Sequence, residues 1–337
     1  MRGKRALVAA FIAIAISGLN SSATAQMRWF WGRAPQWFVG RYAGEFLSLG
    51  AGARALAMGG ASVARPTPSS CVYYNPSALA DVEKRHAEFM HASQFENTYT
   101  YDYLSFAGRL RGGRAAGLTF LYTRVGDIPM TRLFDPNQPL SDNNRVVVEK
   151  ETGDHELALM AGAARRLHSG WRAGAAAKLL FKSVAGESAF GFGFDLGVSK
   201  PLPHGFAVGL VARDVTTSVL AWTTGRTEAI LPSVAAGGAW SAELRSLNAQ
   251  VSLAADLDGH FESRGSAEQV EAGLLTVEPR VGVEYLIART VALRGGFNGG
   301  AITAGAGLCF RWLSVHAAFQ DHADLGLTHR LSLAVDW

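Results

Sequence analysis

The chain has 337 residues, which is enough for one large β domain or two smaller domains. Charged residues make up 18% of it, below the roughly 25% of soluble domains, while hydrophobic residues make up 48%. The formal net charge is only +4 and the arginines form no basic run, so nucleic acid is not an expected partner. Beyond the N-terminus no apolar stretch is long enough for a spanning helix, and 38 glycines are scattered among apolar segments. Because an interior glycine costs a helix roughly 1 kcal/mol, this composition favours strands over a helical bundle.

Residues 1–25 have the features of a secretory signal peptide. Three of the first five residues are basic, residues 6–16 form a short apolar core, and an A-x-A cleavage site ends at Ala25. The alternative is an N-terminal membrane anchor, but the apolar core is too short to cross a bilayer. We therefore predict an exported protein.

The segment 26–84 lacks the alternation of a strand and contains two short motifs. Residues 50–61 read GAGARALAMGGA, and residues 72–80 read VYYNPSALA. The first motif contains a short helix-competent run over residues 55–58, which the following glycine pair can end. In the second motif the Asn-Pro sequence predicts a turn, since proline biases the residue before it away from helix.

From about residue 85 onward, apolar side chains alternate with small or polar ones. Within residues 190–199 one face carries Phe, Phe, Phe, Leu and Val, and the other carries Gly, Gly, Asp, Gly and Ser. Period-2 alternation is typical of strands, and runs of about 9–11 residues suit tilted strands that cross a bilayer. Fourteen such segments are predicted, at 86–95, 99–110, 114–124, 155–165, 171–183, 189–199, 205–214, 232–241, 247–256, 278–287, 290–297, 301–310, 312–320 and 326–337.

The connections between these segments predict how the strands close. With the C-terminus at the periplasmic rim, the three longest gaps (125–154, 215–231 and 257–277) all fall on the extracellular side. The periplasmic connections are all short, and this asymmetry and an even strand number are features of bacterial outer-membrane barrels. The predicted fold class is all-β, a 14-stranded antiparallel transmembrane β-barrel.

The last predicted strand ends on an aromatic residue. Leu331, Leu333, Val335 and Trp337 share its apolar face, and a terminal aromatic residue suits the interfacial girdle of a barrel. This pattern also resembles the C-terminal signal that the barrel-assembly machinery reads. An ordinary closing strand is the alternative interpretation.

Taken together, residues 50–80 and 326–337 resemble the PorV/PorQ-type outer-membrane proteins, relatives of the FadL long-chain fatty-acid transporters. The resemblance implies a 14-stranded barrel over residues 85–337, with the segment 26–84 folded into its lumen as a hatch. The motif residues of the hatch are Gly50, Gly52, Arg54, Met58, Gly59, Gly60, Asn75 and Pro76. The chain departs from the family pattern at residues 65–71, where RPTPSSC replaces an acidic link.

Glycines on the lumen-facing side of the predicted strands leave room for such a hatch. They are Gly191, Gly193, Gly197, Gly209, Gly282, Gly305 and Gly307. We expect Asn75 and Pro76 to pin the hatch against the wall near the first strand, with an ordinary turn before the barrel as the alternative. The predicted lumen-facing charges are Lys178, Lys182, Asp195, Arg213, Arg280, Glu284, Arg294, Arg311, Arg330 and Asp336. They form either a paired ladder that supports the hatch or an electropositive path for an anionic amphiphile.

Few other residues are candidates for catalysis, metal binding or disulfide formation. Cys71 and Cys309 would both meet an oxidising compartment, so a disulfide from hatch to wall and two free thiols are both open. Nucleophile elbows, zinc-protease motifs and phosphate-binding loops are missing from the sequence. We therefore predict a non-enzymatic protein with no catalytic residues, no metal site and no cofactor.

Two functions remain open for a barrel of this kind. The family resemblance implies a scaffold or shuttle component of protein secretion, and the alternative is a FadL-like passive transporter of hydrophobic or amphipathic small molecules. The expected location is the cell outer membrane. The expected partners are outer-membrane lipid, the barrel-assembly machinery, and either secreted proteins or a hydrophobic small molecule.

Overall fold

The structure, a computed structural model, describes residues 44–94, 99–261, 270–272, 275–322 and 326–337. The predicted signal peptide and residues 26–43 of the predicted hatch lie outside the described residues. Seventeen strand segments are found in the described part of the chain: β1 (His86–Gln94), β2 (Tyr99–Arg109), β3 (Arg114–Leu133), β4 (Val146–Arg166), β5 (Arg172–Val184), β6 (Glu187–Pro201), β7 (Phe206–Arg213), β8 (Ser218–Trp222), β9 (Thr227–Ile230), β10 (Ser233–Leu244), β11 (Ala249–His260), β12 (Val270–Ala272), β13 (Leu275–Ile287), β14 (Val291–Asn298), β15 (Ala301–Cys309), β16 (Leu313–His322) and β17 (Gly326–Asp336).

Fourteen of these strands form one closed antiparallel barrel, which confirms the predicted fold class. Each strand pairs with its neighbour along the chain, except that β7 pairs with β10 and β11 pairs with β13. The barrel closes where β1 pairs with β17, with Phe89 opposite Leu333. Closure joins the first and last strands of the wall, so in the described residues most backbone polar groups of the barrel are satisfied between neighbouring strands.

Side chains alternate between the outer and inner faces of the wall. On β6 the outward Phe190, Phe192 and Leu196 are each more than half exposed, while the inward Asp195 is 1% exposed. Large apolar side chains cover the outside of the other barrel strands in the same way. A contiguous exposed apolar band of this size is unfavourable in water, and it matches the outward face of a transmembrane barrel.

Most predicted strand boundaries agree with the structure to within a few residues, but all three long predicted gaps contain strand residues. In the gap 257–277 these include the short β12, which pairs with β13. The predicted gap 125–154 is largely strand, because β3 and β4 continue as a hairpin well past the ends of β2 and β5. The predicted gap 215–231 contains the hairpin β8–β9. These strands were missed because they are short or continue beyond the alternating apolar pattern.

The hairpin β8–β9 is joined to the barrel by a kink in the wall. β7 pairs with residues 196–201 of β6 and β8 pairs with residues 189–192, but the register shifts by three residues between them. Asp214 and Thr217 adopt positive φ angles of 52° and 58° at this point. The connecting residues therefore turn into the lumen instead of continuing the ladder.

Residues 44–82 precede the wall and contain the short helices. They form 3-10 turns at Glu45–Ser48 and Pro76–Asp81, and the helices α1 (Ala53–Ala57) and α2 (Cys71–Tyr74). In the described ranges no helix has both the length and the apolar character needed to span a membrane. We call residues 44–82 the hatch, because the contacts described below place them inside the barrel.

Exposed leucines on the wall provide a direct test of what the outside of the barrel contacts. Leu293 on β14 is 52% exposed, and Leu247 in the turn before β11 is 59% exposed. We expect Leu293→Arg to lower the free energy of unfolding in lipid vesicles by about 2–4 kcal/mol, because arginine is costly on the lipid-facing side of a barrel. Leu247→Arg is the matched control and should change stability little. Urea titrations of both variants in vesicles test this, and equal small effects would contradict a lipid-facing wall.

The hatch-filled lumen as candidate functional site

Four glycines of the first hatch motif set its backbone path. Gly50, Gly52, Gly59 and Gly60 have φ angles of 83°, 79°, 66° and 75°, a region that favours glycine. Gly59 and Gly60 follow α1, and the Gly60 N–H donates to the Ala55 carbonyl at 2.9 Å. The predicted helix-competent run with a glycine end is therefore confirmed.

The wall opposite the hatch carries a belt of inward-facing glycines. Most are direct cross-strand partners: Gly117 with Gly162, Gly174 with Gly197, Gly209 with Gly237, and Gly282 with Gly296, with Gly305 on the next strand. A Cβ atom at any of these positions would lie within 3.4 Å of a hatch atom. We call these nine residues the glycine belt. It lets the hatch backbone approach the wall more closely than side chains would allow.

The predicted lumen glycines divide into two groups in the structure. Four of them, Gly197, Gly209, Gly282 and Gly305, belong to the belt and contact the hatch as expected. The other three make room for different parts of the lumen. Gly191 and Gly193 face β8 and the kink, and Gly307 faces His316 and Arg294.

Arg54 fastens α1 to the wall through a bidentate ion pair. Its Nε and Nη2 atoms donate to the two carboxylate oxygens of Glu284 on β13 at 2.8 and 2.7 Å. Arg294 on β14 donates to the same carboxylate at 2.6 Å, so Glu284 lies between two guanidinium groups. Glu284 and Arg294 are both buried, and a charge in such a place is stable only when paired.

Asn75 is a second fastening point and is fully buried. Its side-chain amide donates to the carbonyl of Val63 at 2.9 Å and to that of Val198 on β6 at 3.3 Å. Its side-chain oxygen accepts from the backbone N–H of Ser77 at 3.1 Å. Asn75 therefore joins two parts of the hatch to each other and to the wall.

The predicted position of this contact was wrong. Asn75 contacts β6 and β7, and Pro76 lies against Gly174 on β5, whereas both residues were expected near the first strand. The hatch turns back across the lumen after residue 65, so nearness along the chain does not give nearness in space.

Several further fastening points were not predicted. Asp256 on β11 accepts the backbone N–H groups of Ser62 and Val63 at 2.6 and 2.8 Å. Five strands further round the wall, Ser332 on β17 accepts the N–H of Ala53 at 2.9 Å. The sequence does not single out Asp256 and Ser332 as hatch contacts, because a lumen-facing Asp or Ser is common in barrel strands.

A small cavity of about 70 Å³ lies between the hatch and the wall, beside the kink. Lys178 on β5 lines this cavity and bridges Asp195 on β6 and Asp214 in the kink, with N–O distances of 2.8 and 2.7 Å.

A second charge cluster lines the same cavity. Asp258 on β11 lies between Arg213 at 3.0 Å and Arg280 at 3.4 Å. The cavity is therefore polar on the wall side, and Leu47 and Tyr73 of the hatch contribute its apolar side.

Most of the predicted lumen-facing charges are paired, which supports the ladder over an open electropositive path. Lys182 pairs with Glu156 at 2.6 Å, Arg330 donates to the Gln320 side chain at 2.9 Å, and Asp336 is bonded to His86. Arg311 was placed wrongly, since it is exposed in the turn between β15 and β16.

Of the two possibilities for Cys71 and Cys309, a disulfide or two free thiols, the structure shows two free thiols. The Cys71 thiol lies on the β5–β7 side of the barrel and donates to the Thr67 carbonyl at 3.2 Å, whereas Cys309 ends β15, whose inner face meets α1. Burial raises the pKa of the Cys71 thiol, which keeps it protonated and unreactive.

The C-terminal residues predicted to carry an assembly signal lie on the outer face of β17 and, for Trp337, directly after its end. Leu331, Leu333 and Trp337 are each about half exposed, and Val335 is half-buried. Their role in assembly stays a prediction. Within the described residues, no group of three or more His, Cys, Asp and Glu side chains could hold a metal ion.

Two solved structures are similar to this chain over most of its length. The toluene transporter TodX of Pseudomonas putida overlaps with a TM-score of 0.57 and 14% identity, covering 90% of this chain and 99% of that one. The toluene transporter TbuX of Ralstonia pickettii overlaps with a TM-score of 0.55 and 14% identity, covering 86% of this chain and 98% of that one. No protein-family model matches the sequence, and no curated protein matches it. At this identity the likeness establishes a shared barrel fold.

Two adjacent glycines on β14 test the glycine belt. Gly296 faces Met58 and Gly59 of the hatch, whereas a Cβ atom at Gly295 would meet nothing closer than 4.0 Å. We expect Gly296→Ala to destabilise the hatch by about 1–3 kcal/mol through overpacking and to speed its cleavage by an added protease. Gly295→Ala should leave the cleavage rate unchanged. Equal rates for the two variants would show that the belt is not a tight contact.

Removal of the Asn75 side chain tests the second fastening point. Asn75→Ala leaves the Ser77 N–H and the Val63 carbonyl without their buried partner, at about 1–3 kcal/mol each. We expect lower outer-membrane abundance and a lower temperature for the heat-dependent gel shift of the barrel. Asn137→Ala, in the exposed loop between β3 and β4, is the control. An unchanged shift temperature for Asn75→Ala would contradict its role.

Proposed function

We propose that this chain is an outer-membrane β-barrel, exported through a cleaved signal peptide, that passes hydrophobic or amphipathic small molecules. The main observation that supports this proposal is the arrangement of the lumen. A firmly fastened hatch lies next to a cavity, and the cavity lies beside an inward kink of the wall. The short turns then lie in the periplasm and the long loops outside the cell. The overlap with two toluene transporters agrees with this proposal.

The expected role as a secretion scaffold of PorV/PorQ type has no support in the comparisons. Both of the solved structures described above are named as transporters of a small hydrocarbon. The alternative stated in the sequence analysis, a FadL-like passive transporter, therefore fits better. The same neighbours agree with a non-enzymatic protein.

The kink provides the route out of the lumen. The hatch is held at the glycine belt and by Arg54 and Asn75, so a straight path to the periplasm would require many contacts to break together. The wall is weaker at the kink, where the only backbone bond from the kink to the middle of β6 is that of Val215 to Phe194 among the described residues. Because Asp214 lines the cavity, a cargo in the cavity is next to this interruption.

Deletion of residues 215–217 tests this route, because three residues are the register shift between β7 and β8. The deletion should restore a continuous ladder with β6 and reduce the uptake of labelled toluene by cells about tenfold, with the barrel still folded by heat-dependent gel mobility. Uptake at the level of the unaltered chain would contradict passage through the kink. Absence of uptake by the unaltered chain itself would contradict the transport function.

A disulfide between the hatch and the wall tests whether the hatch moves during passage. The hydroxyl oxygens of Ser77 in the hatch and Ser199 on β6 are 2.8 Å apart, so the pair Ser77→Cys and Ser199→Cys is placed to form a disulfide. We expect the oxidised double variant to take up toluene at the rate of its reduced form, because the hatch stays in place during passage. Loss of uptake on oxidation and recovery on reduction would show instead that the hatch moves.

A further inference from the structure

Two arginines face outward, side by side, at the short-turn end of the wall. Arg114 on β3 and Arg165 on β4 are direct cross-strand partners, and both are exposed. Like charges directly opposite one another are destabilising in a sheet. The nearby Arg166 and Arg172 pair with Asp81 of the hatch, but in the described part of the chain no carboxylate pairs with Arg114 or Arg165.

The same sector of the wall has an apolar groove next to this pair, with a volume of about 750 Å³. Five alanines of β3, β4 and β5 form its floor, which we call the alanine groove: Ala116, Ala161, Ala163, Ala175 and Ala177. Phe106, Leu118 and Phe194 rise along its sides. Ala116 comes two residues after Arg114 and Ala163 two residues before Arg165, on the same face, so the Cα atoms of the arginine pair lie about 7 Å from those of the two alanines along the strands.

Basic and aromatic residues extend this level of the wall on both sides. Arg85 and Arg109 line the end of the groove towards β1, and Lys200 on β6 lies 5.2 Å from the ring centre of Trp171. Elsewhere on the rim, Phe206, Phe310 and Trp312 occupy exposed positions, and Arg289 is paired with Glu243. Arg245 and Arg311 each lie alone in a separate short turn away from the groove. Among the described residues, adjacent arginines without a carboxylate partner are therefore found beside the groove.

We infer that this sector is a binding site for a phospholipid with an anionic headgroup. An acyl chain lies in the alanine groove, and the headgroup phosphate lies between Arg114 and Arg165. The groove accommodates the acyl chain, and the negative charge of the phosphate relieves the repulsion between the two guanidinium groups. Guanidinium groups bind phosphate oxygens in a bidentate manner. Clustered basic residues at a membrane surface attract anionic lipid in this way. The inference rests on the membrane location in the proposed function and goes beyond transport.

The test uses the full-length mature chain in vesicles of equal parts phosphatidylglycerol and phosphatidylcholine. After mild detergent extraction, native mass spectrometry measures the lipids that stay bound. We expect one phosphatidylglycerol to be retained in preference to phosphatidylcholine, and the double variant Arg114→Gln, Arg165→Gln to lower that preference about tenfold. The double variant Arg245→Gln, Arg311→Gln removes equal charge from turns outside the groove and should keep the preference.

A second pair of variants tests the groove itself. Ala163→Leu fills the alanine groove and should lower lipid retention, while Ala304→Leu, which is outward and exposed on β15, should not. Equal retention of the two lipids by the unaltered chain would overturn the inference, and so would equal losses in the two arginine double variants. Loss of the preference in excess inorganic phosphate, with no effect of Ala163→Leu, would reveal a free-anion site and also overturn it.

These outcomes are separable from a failure of the proposed function. A chain that does not insert into vesicles, judged by heat-dependent gel mobility, contradicts the membrane location. An inserted chain without lipid preference contradicts only the lipid site, whatever its uptake of toluene.

Discussion

The close approach of the hatch to the wall is the constraint on which the rest of this structure depends. A barrel of fourteen strands has a lumen that must be filled or left open to water, and this chain fills it with its own N-terminal segment. The hatch fits because the wall lacks side chains where the two meet, at the nine residues of the glycine belt. In an ordinary strand a glycine weakens packing, but here each one removes a clash with a specific hatch atom. Nine of the 38 glycines in the chain thus have a structural cause.

Polar contacts then fix the hatch in one orientation. Van der Waals contact at the belt is not directional, whereas the bidentate pair of Arg54 with Glu284 and the bonds of Asn75 each allow one geometry. The ion pairs around Lys178 have a different task, since they hold the kink of the wall inward beside the cavity. In the proposed function, a fastened hatch and a kinked wall together favour movement of a small molecule sideways through the wall. The apolar band on the outer surface instead fits contact with a membrane.

Much of the fold could be predicted from the sequence because a membrane strand must alternate along its whole length. The segment 190–199 is an example, and its strand extends over Glu187–Pro201. The kink and the hairpin β8–β9 could not be predicted, since five- and four-residue strands carry too little alternation to stand out. Hatch residues such as Gly59 and Asn75 were identified through a family resemblance. Their partners, such as Glu284 and Asp256, depend on strand register and on how the hatch crosses the lumen, which local sequence does not encode. The resemblance also favoured a secretion role that the comparisons do not support.

Cell fractionation followed by gel electrophoresis with and without boiling tests the central claim most directly. That claim is a closed barrel inserted in the outer membrane. It predicts enrichment in the outer-membrane fraction and different mobilities for the boiled and unboiled protein, because the closed ladder resists detergent until it is heated. Recovery as a soluble periplasmic or secreted protein, with one mobility under both conditions, would contradict the account and require a different explanation for the exposed apolar band.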